Sequence, residues 1–172
     1  GGGISVNQKV LAGKNNIACY GSTTRGVING GYASPAVINV IEYITILSTG
    51  NTTDFGDLSS VRSGFAGASS STRGVVAGGA SPSVVNTMEY VTIASTGNAT
   101  DFGDLTSARG NIKCSASNKT LAIFGGGRTP SDVSTTDRIN IASTGNGTTY
   151  GDILTAGGYN QSSSSTGHGG LA

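Results

Sequence analysis

Short runs of alternating hydrophobic and polar residues fill this chain, and none continues with the 3.6-residue period of an amphipathic helix. The pattern is clearest in the middle third, where it predicts four strands at residues 61–68, 72–79, 87–94 and 100–105. Turn-forming segments separate these strands, among them Gly78-Gly79 with the Pro82 loop and Ser95-Thr96-Gly97-Asn98. The sequence therefore predicts an all-β fold built from short strands.

The same pattern of strands and turns occurs three times in the sequence. Ser-Thr-Gly-Asn is followed each time by a Gly-Asp pair, and Gly50, Gly97 and Gly145 are 47 and 48 residues apart. A period of this length is typical of repeat architectures. We divide the chain into an N-terminal closing strand (1–11), repeat 1 (12–58), repeat 2 (59–105), repeat 3 (106–154) and a Gly/Ser-rich C-terminal partial repeat (155–172). Four strands in each repeat predict the blades of a β-propeller, and a stacked β-solenoid is the alternative.

The order of residues in each repeat resembles the kelch motif. The matching residues of repeat 2 are Gly78-Gly79, Glu89-Tyr90, Phe102, Leu105 and Arg109. Those of repeat 1 are Gly30-Gly31, Glu42-Tyr43, Phe55, Leu58 and Arg62. Repeat 3 departs from the motif at Arg138 and Gly157, and Phe or Tyr stands where the kelch pattern has Trp. The resemblance implies a four-stranded blade that has the glycine pair at the end of its second strand, with Arg62 and Arg109 packed between blades.

The two chain ends fit either of two arrangements. In the first, residues 4–10 pair with residues 156–171 and complete a fourth, deficient blade, which closes a small ring without a free edge. In the second, the chain is one sector of a larger ring or of a fibre, completed by other copies or by further sequence. The terminal pieces contain few core residues, which favours the second arrangement.

Composition and charge exclude two classes of partner. The 172 residues include 29 Gly and only 11% charged residues, with a net charge of +1. There is no Lys/Arg cluster, so nucleic acid is not an expected partner. The apolar stretches are far shorter than the roughly 20 residues of a membrane helix. We therefore expect no membrane insertion.

The sequence contains no recognisable catalytic or metal constellation. His168 is the single histidine, and it lies in a Gly-rich segment without Cys or carboxylate at ligand spacing. A Ser-His-Asp triad would depend on this one residue. We therefore expect no enzymatic activity, no metal and no cofactor.

Asp57, Asp104 and Asp152 end the repeated Gly-Asp pair. Paired carboxylates occur in glycosidases and in calcium sites. Here the carboxylates recur in every copy beside a turn glycine, so capping of the local backbone is the favoured interpretation, and calcium binding is the alternative.

Cys19 and Cys114 are 95 residues apart, close to two repeat lengths. We interpret them as equivalent positions of repeats 1 and 3 that hold a small buried side chain, and not as a disulfide.

The loop after each glycine pair varies between copies, and variable loops on a rigid scaffold are where recognition usually occurs. Tyr32 and Arg128 are the strong contact formers in these loops. They are suited to stacking on a sugar or to hydrogen bonding with it, and we predict them as ligand-binding residues.

A second resemblance concerns residues 89–106, which resemble segments of repetitive structural proteins of tailed bacteriophages, especially those of marine and cyanobacterial hosts. It implies a structural or adhesive component of a virion appendage such as a tail fibre, located on the virion or outside the cell. Such a component self-assembles or joins other virion proteins and contacts host surface glycans. The alternative is a secreted or surface-displayed propeller binding module that forms filaments.

Overall fold

The computed structural model describes residues 13–156 and the strand Ser162–Ser165. These residues form strands, turns and bends and include no helix, so the prediction of an all-β fold is confirmed. Accordingly, this part of the chain has no helix with the length and apolarity that crossing a membrane requires. The predicted closing strand at residues 1–11 and the histidine at position 168 lie outside the described residues.

Repeat 1 forms an antiparallel sheet in which each strand pairs mainly with its neighbour in sequence. Its strands are β1 (Lys14–Asn15), β2 (Ala18–Gly21), β3 (Arg25–Ala33), β4 (Ala36–Thr45) and β5 (Thr53–Asp57). Their order is β1-β3-β4-β5, and β2 also pairs with β3. Both β1 and β2 therefore lie along the same edge of β3.

Repeats 2 and 3 build their sheets in the same way. The strands of repeat 2 are β6 (Ala66–Ser69), β7 (Arg73–Ala77), β8 (Thr87–Thr92) and β9 (Thr100–Asp104), paired in that order. Those of repeat 3 are β10 (Cys114–Ser117), β11 (Leu121–Thr129), β12 (Ser131–Asn140) and β13 (Thr148–Asp152). The sequence predicted β7, β8 and β9 to within two residues at each end.

The first strand of repeat 2 begins later than predicted, at Ala66 and not at residue 61. The intervening residues form an irregular connection in which Gly64 has a φ of +69°. Asn16 and Asn111 occupy the same place in repeats 1 and 3 with φ values of +54° and +47°. Asn and Gly tolerate this left-handed conformation better than other residues, so the connection is a feature of the repeat.

The C-terminal partial repeat contributes β14 (Ser162–Ser165), which pairs with β10 in parallel. It extends the third sheet, whose order is β13-β12-β11-β10-β14.

A bulge lies at the same point of every sheet. The pairing register shifts next to Glu42 between β4 and β5, next to Glu89 between β8 and β9, and next to Asp137 between β12 and β13. A bulge re-aims a side chain relative to the regular strand alternation. These three acidic residues therefore have the same backbone environment.

The hydrophobic core is divided into two clusters, and each lies between two neighbouring sheets. The first joins repeats 1 and 2 and includes Ala18, Val27, Ile41, Phe55, Leu58, Phe65, Val76, Val91 and Ile93. The second joins repeats 2 and 3 and includes Val75, Met88, Phe102, Leu105, Ile112, Ala122, Phe124, Ile139 and Ile141. A single repeat thus cannot bury its apolar residues alone, as in other repeat proteins.

The strands nearest one another in successive sheets are β2, β6 and β10. Serine hydroxyls connect them: Ser69 Oγ donates to Gly21 O at 3.1 Å, and Ser115 Oγ donates to Gly67 O at 2.7 Å. Among the described strands, no comparable set of contacts joins the first sheet to the third. The described sheets are therefore an open series of three.

Candidate functional site

The two predicted ligand-binding residues occupy the same position in different repeats. Tyr32 pairs with Asn15 beside β1, and Arg128 forms a β-bridge with Gly110. The corresponding residue of repeat 2 is Ala80. Tyr32 is half-buried and Arg128 is exposed, and one complete repeat separates them. The prediction that these residues lie in loops was wrong: Tyr32 is near the end of β3 and Arg128 near the end of β11, because each strand continues past its glycine pair. The two positions are equivalent, and the described contacts do not bring them together.

Arg128 borders an open cleft between the loops of repeats 2 and 3, with a volume of about 430 Å³. Its Nε donates to Pro130 O at 3.0 Å, which fixes the side chain along its own hairpin. Val84 and Ala80 line the opposite wall and Asn111 contributes an amide. A cationic, amide-bearing and partly apolar cleft can contact the polar and apolar faces of a small ligand.

The glycine pairs bring two repeats into backbone contact. Gly31 N donates to Arg62 O at 3.1 Å, and Gly79 N donates to Arg109 O at 2.9 Å. Gly78 has a φ of +68°, and a Cβ on it would lie 2.4 Å from Arg109 O. Glycine is required at this position both for the conformation and for the close approach.

The same conformation recurs in the other copies. Gly30 and Gly31 have φ values of +42° and +96°, and Gly126 and Gly127 have values of +67° and +121°. In repeats 1 and 3 the glycine pair produces a bulge, which lies within β3 and β11 respectively.

Arg62 is buried and its guanidinium is held entirely by repeat 2. Nη1 donates to Gly78 O at 3.2 Å and to Thr87 O at 3.0 Å, while Nη2 forms an ion pair with Glu89. Burial lowers the pKa of Arg62 to about 10, so it remains protonated at neutral pH. Glu89 also accepts from Ser59 N at 2.9 Å, which ties the connection between repeats to the same carboxylate.

Arg109 repeats this arrangement in repeat 3. It pairs with buried Asp137 at 3.2 Å and donates to Phe124 O at 3.1 Å. Burial lowers the pKa of Arg109, and the charge of Asp137 opposes that shift. Thr106 donates to Asp137 through its N–H and its hydroxyl. Repeat 1 has Lys14 paired with Glu42 at this position, which the sequence analysis missed.

The predicted Asp turn is part of a contact between repeats 1 and 2. Gly97 N donates to Phe55 O at 2.7 Å, and Ala99 N donates to Asp57 O at 2.8 Å. Asp57 N in turn donates to Asn98 Oδ1 at 3.0 Å. The Ser-Thr-Gly-Asn turn of one repeat is therefore bound to the last strand of the preceding repeat. We call this set of contacts the turn–strand junction.

A second turn–strand junction connects repeats 2 and 3. Gly145 N donates to Phe102 O at 2.7 Å, Gly147 N donates to Asp104 O at 2.8 Å, and Asp104 N donates to Asn146 Oδ1 at 3.0 Å. Sequence reasoning missed this role of the turn, although the identical Asn in all three copies was a signal for it.

The structure corrects the local capping interpretation of the aspartates. Asp57 and Asp104 act through their backbone, and in the described residues their side chains accept no hydrogen bond. The Asp152 carboxylate accepts from Ser134 Oγ at 3.1 Å. Within the described ranges, no three His, Cys, Asp or Glu residues are grouped as a metal site would require.

Arg25 and Arg73 also reach from one repeat to the next. Arg25 Nη1 donates to Ile93 O at 2.9 Å, and Arg73 Nη1 donates to Ile141 O at 3.0 Å. Each guanidinium lies over a tyrosine of its own repeat, with Arg73 4.2 Å from the ring centre of Tyr90. In repeat 3, Leu121 replaces this arginine.

The two cysteines are not equivalent. Cys114 pairs with the residue just before a glycine pair, as Ala18 and Ala66 do, whereas Cys19 corresponds to Gly67. They are thus one residue out of register, and neighbouring strand residues face opposite sides of a sheet. Both are free thiols, and Cys19 is exposed, so the prediction of two equivalent buried side chains was wrong.

Searches of protein-family models and of curated protein sequences find no match to this chain. The chemistry of the repeated residues is therefore interpreted from their contacts alone. The side-chain contacts of Arg25, Arg73, Asn98 and Asn146 bind one repeat to the next, whereas those of Arg62 and Arg109 lie within one repeat. The Arg128 cleft is a separate candidate for ligand binding.

Proposed function

We propose that this protein is a non-enzymatic structural component of a virion appendage of a tailed bacteriophage, such as a tail fibre. In this proposal the three sheets are blades of a kelch-like β-propeller sector. The observation that carries the proposal is that four of the repeated polar residues join neighbouring repeats. Arg25, Arg73, Asn98 and Asn146 all bond across a repeat boundary.

The propeller arrangement is supported by the order of the strands. Each repeat gives a sheet of consecutive antiparallel strands, and the first long strands of successive sheets, β2, β6 and β10, are in contact. Apolar residues from facing sheets form both core clusters, as expected for packed blades. The resemblance of residues 89–106 to phage structural repeats supports the assignment to a virion.

Immunogold electron microscopy of the culture that produces the protein tests this proposal, with an antibody raised against the purified chain. We expect gold on the tails or capsids of virus particles. Preincubation of the antibody with purified chain should remove the label. Gold on cell surfaces or extracellular filaments, with bare virions, would overturn the virion assignment and favour a cell-made binding module.

Glycan binding is a second candidate function, and the Arg128 cleft favours it. We expect the purified chain to bind a subset of bacterial surface glycans on an array, and Tyr32→Ala with Arg128→Ala to abolish that binding. Lys119→Ala is the matched control, because it removes an exposed positive charge from the same repeat at a distance from the cleft. Binding that survives the double substitution would exclude these residues as the ligand contacts.

A further inference from the structure

Among the described residues, the first Ser-Thr-Gly-Asn turn and the strand β13 each lack the partner segment with which they would form a turn–strand junction. The turn at residues 50–52 corresponds to residues 97–99. Its Thr52 hydroxyl donates to Glu42 of the same repeat at 3.3 Å, and among the described residues no hydrogen bond joins the turn to another repeat. At the other end, Gly151 corresponds to Gly103. A Cβ on Gly103 would lie 2.5 Å from Gly145 O, whereas one on Gly151 would meet no atom within 4 Å.

The side of repeat 1 that carries the free turn also exposes apolar residues. We call this side the leading face. Ile46 is 52% exposed, whereas its counterparts Ile93 and Ile141 are 1% and 0% exposed. Ile44 is exposed too, and its counterpart Val91 is buried. In repeats 2 and 3 the preceding repeat covers these positions.

The outer side of repeat 3 exposes the complementary set, and we call it the trailing face. Tyr150 is 61% exposed, whereas its counterparts Phe55 and Phe102 are each 2% exposed. Leu121, Ile123 and Tyr150 line an open cleft of about 310 Å³ on this face. In repeat 2 the equivalent surface contains Val75 and Phe102 and is covered by repeat 3.

Arg138 also lines this cleft, 5.7 Å from the centre of the Tyr150 ring. Repeats 1 and 2 have a guanidinium over an aromatic ring on the same face, and it donates to a carbonyl of the next repeat. The trailing face thus keeps a cation for that carbonyl, although the cation comes from a different strand.

An outer face of a repeat array that remains in contact with water is normally polar. Here the leading and trailing faces expose apolar residues and backbone groups whose counterparts are buried or hydrogen-bonded at the contacts between repeats. We propose that the trailing face of one chain binds the leading face of a second copy of this chain. Each contact would reproduce the turn–strand junction and the apolar packing that join repeats 1 and 2. The proposal goes beyond the proposed function, because it holds whether or not the assembly belongs to a virion.

Such a contact is heterologous, which means that it uses two different surfaces and can continue from chain to chain. This property gives a sharp test with two blocked variants of the full chain. Ile46→Asp places a charge on the leading face, and Tyr150→Asp places one on the trailing face. Both residues are exposed in the single chain, so we expect both variants to keep the wild-type circular dichroism spectrum and melting temperature.

Sedimentation velocity then measures the assembly state over a range of concentrations. We expect the wild type to form species larger than a monomer, either a closed ring with a fixed number of copies or an open series that grows with concentration, and each blocked variant to remain a monomer. An equimolar mixture of the two variants has one intact face of each kind, so it should form a dimer and nothing larger. Val61→Asp is the matched control: it changes an exposed apolar residue outside both faces and should assemble as the wild type does.

Three results would overturn the proposal. They are a wild-type chain that stays monomeric at all concentrations, a blocked variant that still assembles alone, and a mixture of the two variants that forms no dimer. A monomeric wild type would show that another segment of the chain or another partner covers these faces.

Discussion

A buried arginine near the start of repeat 2 holds the second and third strands of that repeat together. Arg62 contacts Gly78 O, Thr87 O and Glu89; Gly78 and Glu89 are buried and Thr87 is half-buried. Removing one member of a buried ion pair leaves an uncompensated charge, which costs about 3–5 kcal/mol. The pair therefore matters more for avoiding an unpaired carboxylate than for its own attraction.

We predict that Arg62→Met lowers the free energy of unfolding by about 3–5 kcal/mol. Arg62→Lys should lower it by less, because a lysine keeps a positive charge beside Glu89 and leaves no unpaired buried carboxylate. Repeat 1 already uses this solution in the pair of Lys14 and Glu42. Urea denaturation followed by circular dichroism measures both changes.

The double variant Arg62→Met/Glu89→Gln is the control for the charge argument. Glutamine keeps an acceptor for Ser59 N and removes the unpaired charge. It should recover part of the stability lost in Arg62→Met. An Arg62→Met variant that loses less than about 1 kcal/mol would contradict the argument, since a broken buried pair costs several times more.

At the scale of elements, the turn of one repeat and the last strand of the preceding one form a close backbone contact. Gly56 and Gly103 lie at its centre, and a Cβ on either would be 2.4 or 2.5 Å from a carbonyl oxygen of the neighbouring turn. Their φ values of +145° and +134° are also strained for other residues. Gly151 has a similar φ of +150°, without a turn bound to it.

We predict that Gly103→Ala destabilises the chain more than Gly151→Ala does. Both substitutions add the same backbone strain, and only Gly103→Ala adds the steric clash, worth about 1–3 kcal/mol. Thermal unfolding at low protein concentration, where copies of the chain remain separate, measures the difference. Equal losses for the two variants would show that the turn can shift away, and the close contact would then have no energetic consequence.

The strands could be predicted from the sequence because alternation and turn residues are local signals. β7, β8 and β9 follow from them directly. The contacts between repeats could not, because a periodic sequence does not distinguish a bond within one repeat from a bond to the next. Asn98 is compatible with capping its own turn or with binding Asp57 N, and only the packing of the sheets decides between them.

Register is the other property that the sequence alone left undetermined. The spacing of Cys19 and Cys114 is 95 residues, and two full periods along these strands are one residue longer. An offset of one residue is small in sequence, yet it moves a side chain to the other face of the sheet. The common position of Tyr32 and Arg128 directly after a glycine pair was visible in the sequence, whereas their location inside β3 and β11 was not.

At the scale of the whole molecule, stability is distributed between the repeats and the interfaces that join them. Both core clusters lie at these interfaces, so the middle repeat is covered on its two sides and each outer repeat on one. In such one-dimensional arrays the interface contributes a separate stabilising term. A further copy bound at either end would therefore stabilise the outer repeat next to it.

The turn–strand junction has a consequence for the gene. It is made largely of main-chain groups, and it requires one asparagine side chain and one glycine, which has no Cβ. An in-frame duplication of one repeat would thus insert a unit that fits both neighbours, and an in-frame deletion would leave two compatible ends. Unequal recombination between the repeated DNA segments would change the length of the protein in steps of about four dozen residues and preserve every junction.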